Sequence, residues 1–100
     1  MTEYTVKISS YAYRNIEEIY QYISQQLLAP DAAKNLALDL ENAILSLDQF
    51  PYRGALRKHG RYAGKGYRQL LVKNFTIIYR IVEEKQQVII LTVHYSPRNL

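Results

Sequence analysis

"YRQLLVKNFTIIYRIVEEKQQVIILTVHY", running from Tyr67 to Tyr95, is the stretch on which the fold turns. It is rich in Ile, Val, Tyr and Phe, with polar breaks at Lys73-Asn74 and at Glu83 to Gln86. Such residues suit the pleated, half-buried surface of a sheet, and short polar breaks between them mark turns. The pattern predicts three strands, Tyr67–Lys73, Phe75–Val82 and Gln87–Tyr95, connected as an antiparallel meander. Pro97 carries no N–H for a ladder, so the last strand should end near Tyr95.

Upstream of the meander the periodicity changes. "YTVKIS" alternates and predicts a first strand over Tyr4–Ser9. Ile16, Ile19, Tyr20, Ile23 and Leu27 then fall at helical spacing, with Ser10 as the expected N-cap. Pro30 stops that helix, because the residue before a proline avoids the helical region. Pro30 and Asp31 also suit the opening turn of a second helix, one by its fixed φ and the other by its charge against the dipole. Ala33, Leu36, Leu40, Ala43, Ile44, Leu47 and Phe50 mark its expected buried stripe, ended by Pro51. Two amphipathic helices separated by about three residues fold back as a hairpin. The order is therefore β-α-α-β-β-β. The expected class is α+β, a helical hairpin on one face of a four-stranded, mainly antiparallel sheet whose other face stays partly open. Ile19, Ile23, Leu36, Leu40, Leu47, Ile77, Tyr79, Leu91 and Val93 are the expected core, with Tyr20 assigned to it as well.

A length of 100 residues supports a single domain, residues 1–100, with one modest core. The chain has no cysteine, which removes disulfides, thiolate nucleophiles and Cys-ligated metals from consideration. His59 and His94 are too few for a zinc site on their own. No cofactor or metal is expected. "MTEYTVKISS" has no apolar run and no segment approaches membrane-span length, so a cytoplasmic protein without a membrane partner is expected.

Charge is distributed unevenly. Between Gln49 and Val82 there are eight Lys/Arg and no Asp or Glu, and all four glycines lie there too. That segment is either a solvated basic loop or a surface for a polyanion or an acidic partner. Arg53, Arg57, Lys58, Arg61, Lys65 and Lys73 are its candidate partner-binding residues. With His59, Tyr62, Tyr67 and Arg68 they form a basic and aromatic set, to which His94, Tyr95 and Arg98 can be added if the last strand folds near the first. Such groups neutralise phosphates, offer stacking planes to bases, and could run acid–base cleavage of RNA at its own 2′-hydroxyl without a metal. A basic nucleic-acid-binding module without chemistry fits the same composition. On a strand, His94 is more often a packed side chain than a proton shuttle. Catalytic carboxylates are not expected, since none of the nine acids lies beside a histidine in sequence.

Five stretches in order carry a family resemblance: "AYRNIEEIYQYI" (12–23), "PDAA" (30–33), "LDQFPYRG" (47–54), "GYRQLLVKNFTIIYRI" (66–81) and "VIILTVHYSPRNL" (88–100). Together they resemble the RelE/ParE superfamily of bacterial toxins over nearly the whole chain. The resemblance implies a type II toxin made with an antitoxin, an acidic and partly disordered partner that wraps it in a hetero-oligomer. Two mechanisms divide the superfamily. RelE-like members are ribosome-dependent mRNA endoribonucleases, and ParE-like members poison DNA gyrase. Residue by residue, Arg68 matches a basic position on the family's second strand. Thr76 and Ser96 stand where RelE-like toxins are expected to carry arginines. Tyr95 aligns with the tail's histidine, and Arg98 and Asn99 with its Arg-Asp pair. A shift of one instead sets His94-Tyr95 against the terminal His-Tyr of YoeB-type RNases. The resemblance thus gives two expectations. A ParE-like toxin would act without chemistry of its own. An RNase would use Arg68, His94, Tyr95 and Arg98. The two missing arginines favour the former.

Overall fold

The structure, a computed structural model, describes residues 3–96. Strand β1 (Thr5–Ile8) leads into helix α1 (Ser10–Gln21). The N-cap is Ser9 rather than Ser10: its extended backbone leaves Oγ free to accept the Ala12 N–H at 3.0 Å. One residue of slippage separates two adjacent serines, and only the cap geometry distinguishes them.

The end of the first helix widens into a π-type turn over Tyr22–Gln26, in which the Leu27 N–H bonds the Tyr22 carbonyl at 3.1 Å. A bond five residues long places Tyr22 and Leu27 side by side, off the core stripe. Leu27 is consequently 56 % exposed, against the expectation that it extends the buried face. Tyr20 is 41 % exposed and lies outside the core. Helix α2 (Pro30–Leu45) opens with Pro30 at its first position and Asp31 in its first turn, as expected. Its buried face is Ala33, Leu36, Leu40 and Ile44. The helix then tightens into 3₁₀ turns at Ser46–Asp48 and Pro51–Arg53. That change of pitch buries Leu47 and Pro51 but rotates Phe50 outward to 63 % exposure, correcting its place in the stripe.

The sheet has five strands in the order β1-β5-β4-β3-β2, one more than expected. The addition is β2 (Ala55–Leu56), two residues too short to leave a periodic signal, paired antiparallel to β3 (Arg68–Val72). Strands β4 (Phe75–Val82) and β5 (Gln87–Tyr95) have the expected limits. β3, β4 and β5 form the antiparallel meander, while β1 joins β5 in parallel and makes the sheet mixed.

A β-bulge interrupts the β4–β5 ladder. Ile78 pairs with Thr92 but Tyr79 pairs with Ile90, so Leu91 has no partner. Ile90 and Val93 join the core, and Leu91, expected there, is only partly buried. The core itself lies between the helices and the sheet. Ala12, Leu36, Leu40, Ile44 and Leu47 meet Leu70, Ile77, Tyr79, Val88, Ile90 and Val93, with Ile19 and Ile23 packed partly against them. Beyond the end of β1, Asn15 Oδ1 accepts the Val93 N–H and the Thr92 hydroxyl, which closes part of the exposed β5 edge.

Candidate functional site

Tyr79 anchors the turn that leads into the basic segment. Its hydroxyl donates to the Pro51 carbonyl at 2.7 Å and accepts the Gly54 N–H at 3.0 Å, entirely within the interior. Burial pushes this phenol's pKa up and keeps it neutral. A Cβ on Gly54 would stand 2.5 Å from the Tyr79 hydroxyl and 2.6 Å from the Gln69 carbonyl, so the position admits no side chain. The physical content of "FPYRG" is thus a buried proline and a bare glycine clamped by one phenol.

Arg68 lies beside that clamp. It pairs with Tyr79 across the ladder, donates to the Gly54 carbonyl at 2.6 Å, and holds its guanidinium 4.9 Å above the Tyr52 ring. The Tyr52 hydroxyl donates to Glu83, which also receives the Tyr4 hydroxyl. Two phenol donors hold the Glu83 carboxyl below its ordinary range, and the same bond raises Tyr4 to about 12. This carboxylate is engaged as a staple between the residue preceding β1, the turn after β4 and the Pro51–Arg53 turn.

The alternation of the strands sorts the remaining candidates onto two faces. Phe75 and Tyr95 are cross-strand partners on the helix side and meet edge to face, with centroids 5.5 Å apart. With Glu18, Ile19, Tyr22 and Leu27 they line a mainly apolar groove of about 560 Å³ between the first helix and the end of the sheet. His94 pairs with Thr76 on the opposite face. Adjacent in sequence, His94 and Tyr95 therefore point to opposite sides of the sheet. Arg68 is paired at the Tyr79 end of the ladder and Tyr95 at the Phe75 end. Arg98 and Asn99 lie outside the described residues.

On the face away from the helices, Arg57 is the central cation. Its backbone N–H bonds the Tyr67 carbonyl at 2.8 Å, closing the loop between β2 and β3. Its guanidinium donates to Gln69 Oε1 at 2.5 Å. Burial, with the Arg57 charge as a second cause, lowers the His94 pKa and favours the neutral imidazole. Gln69 and His94 belong to the same face of the sheet, and Thr76 and Ile78 on that face are fully buried as well. Lys58, Arg61 and Lys65 are exposed along the loop, where Tyr62 and Tyr67 pack edge to face at 5.1 Å. Arg53 donates to Ser46 Oγ at 2.6 Å, and Lys73 pairs with Asp39 at 3.0 Å. Sequence reading grouped Arg57 with its charged neighbours and did not single it out. The signal was present in the two-residue period of "FTIIYR", which sets Thr76 and Ile78 on one face.

Among the described residues no cluster of His, Cys, Asp and Glu could hold a metal, and no helix is long and apolar enough to cross a membrane.

Comparison with known proteins places this architecture. Solved structures with the same fold include a chromosomal ParDE toxin–antitoxin system from P. aeruginosa, with a TM-score of 0.77 at 21% identity over 94% of this chain and 97% of that one. A RelBE toxin–antitoxin complex from Mycobacterium tuberculosis gives 0.66 at 22% identity, covering 98% and 97%. A mutant RelE toxin from E. coli in the free state gives 0.59 at 12% identity, covering 94% and 84%. No curated protein matches the sequence. The family model for the ParE toxin of the type II toxin–antitoxin system parDE matches residues 6–99, nearly the whole length. The chain belongs to that ParE toxin family.

Proposed function

We propose that this toxin is ParE-like in action as well as in family: it arrests growth by poisoning DNA gyrase, without bond-making or bond-breaking of its own. The observation that carries the reading is the divergence of His94 and Tyr95. An RNase mechanism needs a proton donor and acceptor aimed at one phosphodiester, within hydrogen-bond reach of it. Here the two side chains are on opposite faces, and Tyr95 is spent on Phe75 at the groove. Thr76, at a position where a RelE-like toxin would present an arginine to the reacting phosphate, is fully buried. Losing one preorganised group of that kind typically removes on the order of 10²–10³ in rate.

The partner in this reading is an acidic, partly disordered antitoxin, in keeping with the toxin–antitoxin complexes among the similar structures. Its apolar side chains occupy the groove of Ile19, Tyr22, Leu27, Phe75 and Tyr95, and its carboxylates lie along Arg53, Arg57, Lys58, Arg61, Lys65 and Lys73. Apolar anchors hold most of the affinity, while the charges set on-rate and salt dependence. Association of the purified pair should therefore slow as salt rises, and a salt-independent on-rate would remove the electrostatic part.

The decisive experiment induces the toxin and, in one culture, maps mRNA 5′ ends and gyrase-dependent DNA breaks. DNA breaks without codon-linked cuts are expected, with toxicity abolished by Arg98→Ala or by deletion from Ser96 onward. Discrete mRNA cuts lost in His94→Ala and Tyr95→Phe, with no DNA breaks, would overturn the assignment in favour of a RelE-like RNase.

A further inference from the structure

The groove between the first helix and the end of the sheet has two backbone irregularities at its rim. The π-type turn over Tyr22–Gln26 delivers Leu27 to the groove wall. Leu28, next in the chain, holds a left-handed φ of 52° and is 81 % exposed. Glycine adopts that conformation freely at a helix end, whereas leucine adopts it under strain and here gains little burial in return. Tyr22, Leu27 and Tyr95 are also more than half exposed. A widened turn, a strained leucine and exposed apolar side chains around one groove mark a surface kept for a partner.

One charge lies in that groove. Ile19, Tyr22, Leu27, Phe75 and Tyr95 are apolar or aromatic, and Glu18 is the single lining residue that is ionised at neutral pH. Among the described residues the one ion pair joins Lys73 to Asp39, so Arg14, one turn before Glu18 on the same helix, does not neutralise it. The Glu18 carboxylate is exposed and hydrated while the groove is open. A partner filling the groove strips that water away, and a carboxylate against apolar surface is tolerated only when paired. We propose, on the reading that the antitoxin occupies this groove, that Glu18 selects the segment it accepts: an amphipathic stretch with a lysine or arginine set among its apolar anchors.

The sign of this site is opposite to that of the basic segment. Lys58, Arg61 and Lys65 are exposed on their loop and call for carboxylates, whereas the groove calls for a cation. Two sites of opposite sign fix both the register and the direction of one bound chain, because a shifted or reversed segment sets like charges together. The aromatic walls suit the same match. A lysine or arginine can lay its aliphatic stem along Tyr22 and Tyr95 while its charge meets Glu18.

A second copy of this chain fits the groove less well. In a two-fold contact through it, each copy brings its own Glu18 into the same apolar interface, which adds a repulsion where a cation is needed. A separate, complementary partner removes that conflict.

The test uses the toxin and the antitoxin purified from its operon, with affinity read by titration calorimetry and folding by thermal midpoint. Glu18→Gln should weaken the pair about tenfold and Glu18→Lys about a hundredfold at low salt, both losses shrinking as salt rises. Glu17→Lys makes the same change of net charge outside the groove lining and should leave the affinity close to wild type. A Lys/Arg→Glu scan of the antitoxin should yield one variant that binds the Glu18→Lys toxin better than it binds wild type. Leu27→Asp reports separately whether the antitoxin enters the groove. If Leu27→Asp abolishes binding while Glu18→Lys does not weaken it, the antitoxin fills the groove but Glu18 does not select it. If neither variant alters the affinity, the groove reading falls, and the role of Glu18 with it. Tighter binding by Glu18→Lys, or equal losses in Glu17→Lys and Glu18→Lys, would also overturn the assignment. Free toxin that sediments as a dimer and becomes a monomer in Leu27→Asp, with unchanged antitoxin affinity, would give the groove to a second copy.

Discussion

The two faces of the sheet treat their polar groups in opposite ways. On the helix side, the one large polar side chain in the interior, Tyr79, is satisfied twice, by Pro51 and by Gly54. Across the same strand, Thr76 is as deeply buried, and among the described residues its hydroxyl has no hydrogen-bond partner. One face closes its hydrogen bonds and fixes the path of the chain. The other leaves a buried hydroxyl unpaired. The contrast runs between the two sides of a single strand, β4.

The comparison can be broken most forcefully through the core. Leu40→Ala should lower unfolding free energy by roughly 2–5 kcal/mol, a large part of a small domain's stability, and shift the denaturant midpoint accordingly. A midpoint equal to wild type would mean that the helix side does not carry the fold. Next in size is Tyr79→Phe, which strands the Pro51 carbonyl and the Gly54 N–H and should cost about 1–3 kcal/mol in chemical denaturation. Thr76→Val is the matched change on the other face. Removing an unsatisfied hydroxyl should leave stability unchanged or raise it by up to about 1 kcal/mol, read as a higher thermal midpoint. If Thr76→Val destabilises as much as Tyr79→Phe, the contrast between the faces is lost.

The smallest effect concerns the exposed Glu83 staple, whose contribution should be bounded in pH on both sides. Glu83 has a depressed pKa in the folded state, so its share is present above the unfolded value and disappears as pH falls through the folded one. Tyr4 is raised to about 12, so its share is present below pH ~10 and fades as pH rises from there. Glu83→Gln should therefore lower the thermal midpoint slightly at neutral pH. The difference from wild type should close in acid below the ordinary carboxylate range, and a difference that persists there would show that the staple is not electrostatic.

Much of the fold was legible because its signals are local. "FTIIYRIV" and "QVIILTVHY" carry enough β-branched and aromatic residues to set both ends of β4 and β5, and Pro30 with Asp31 marks the start of α2 unaided. What escaped depends on geometry between segments. β2 is recognisable only through its pairing with β3, and the exposure of Leu27 and Phe50 accompanies changes of helical pitch that composition does not encode. The basic segment showed its charge plainly, but not that Arg57 would bond Gln69 while Lys58, Arg61 and Lys65 stay exposed. Adjacency on a strand sends His94 and Tyr95 to opposite faces, but the bulge that decides which of them meets the helices left no signal in the sequence.

Which ring takes which face has a single cause, the bulge at Leu91. Val88 and Ile90 face the helices, and unbroken alternation would carry Thr92 and His94 to the same side. The unpaired Leu91 inverts the phase, giving Val93 to the core, Tyr95 to the groove and His94 to the opposite face. Deleting Leu91 would leave a regular ladder with His94 still opposite Thr76 and Tyr95 still opposite Phe75, whereas pairing the same nine residues without a bulge would exchange the two rings. In this fold the single extra residue of the bulge, and not the composition of the strand, selects which ring meets which surface.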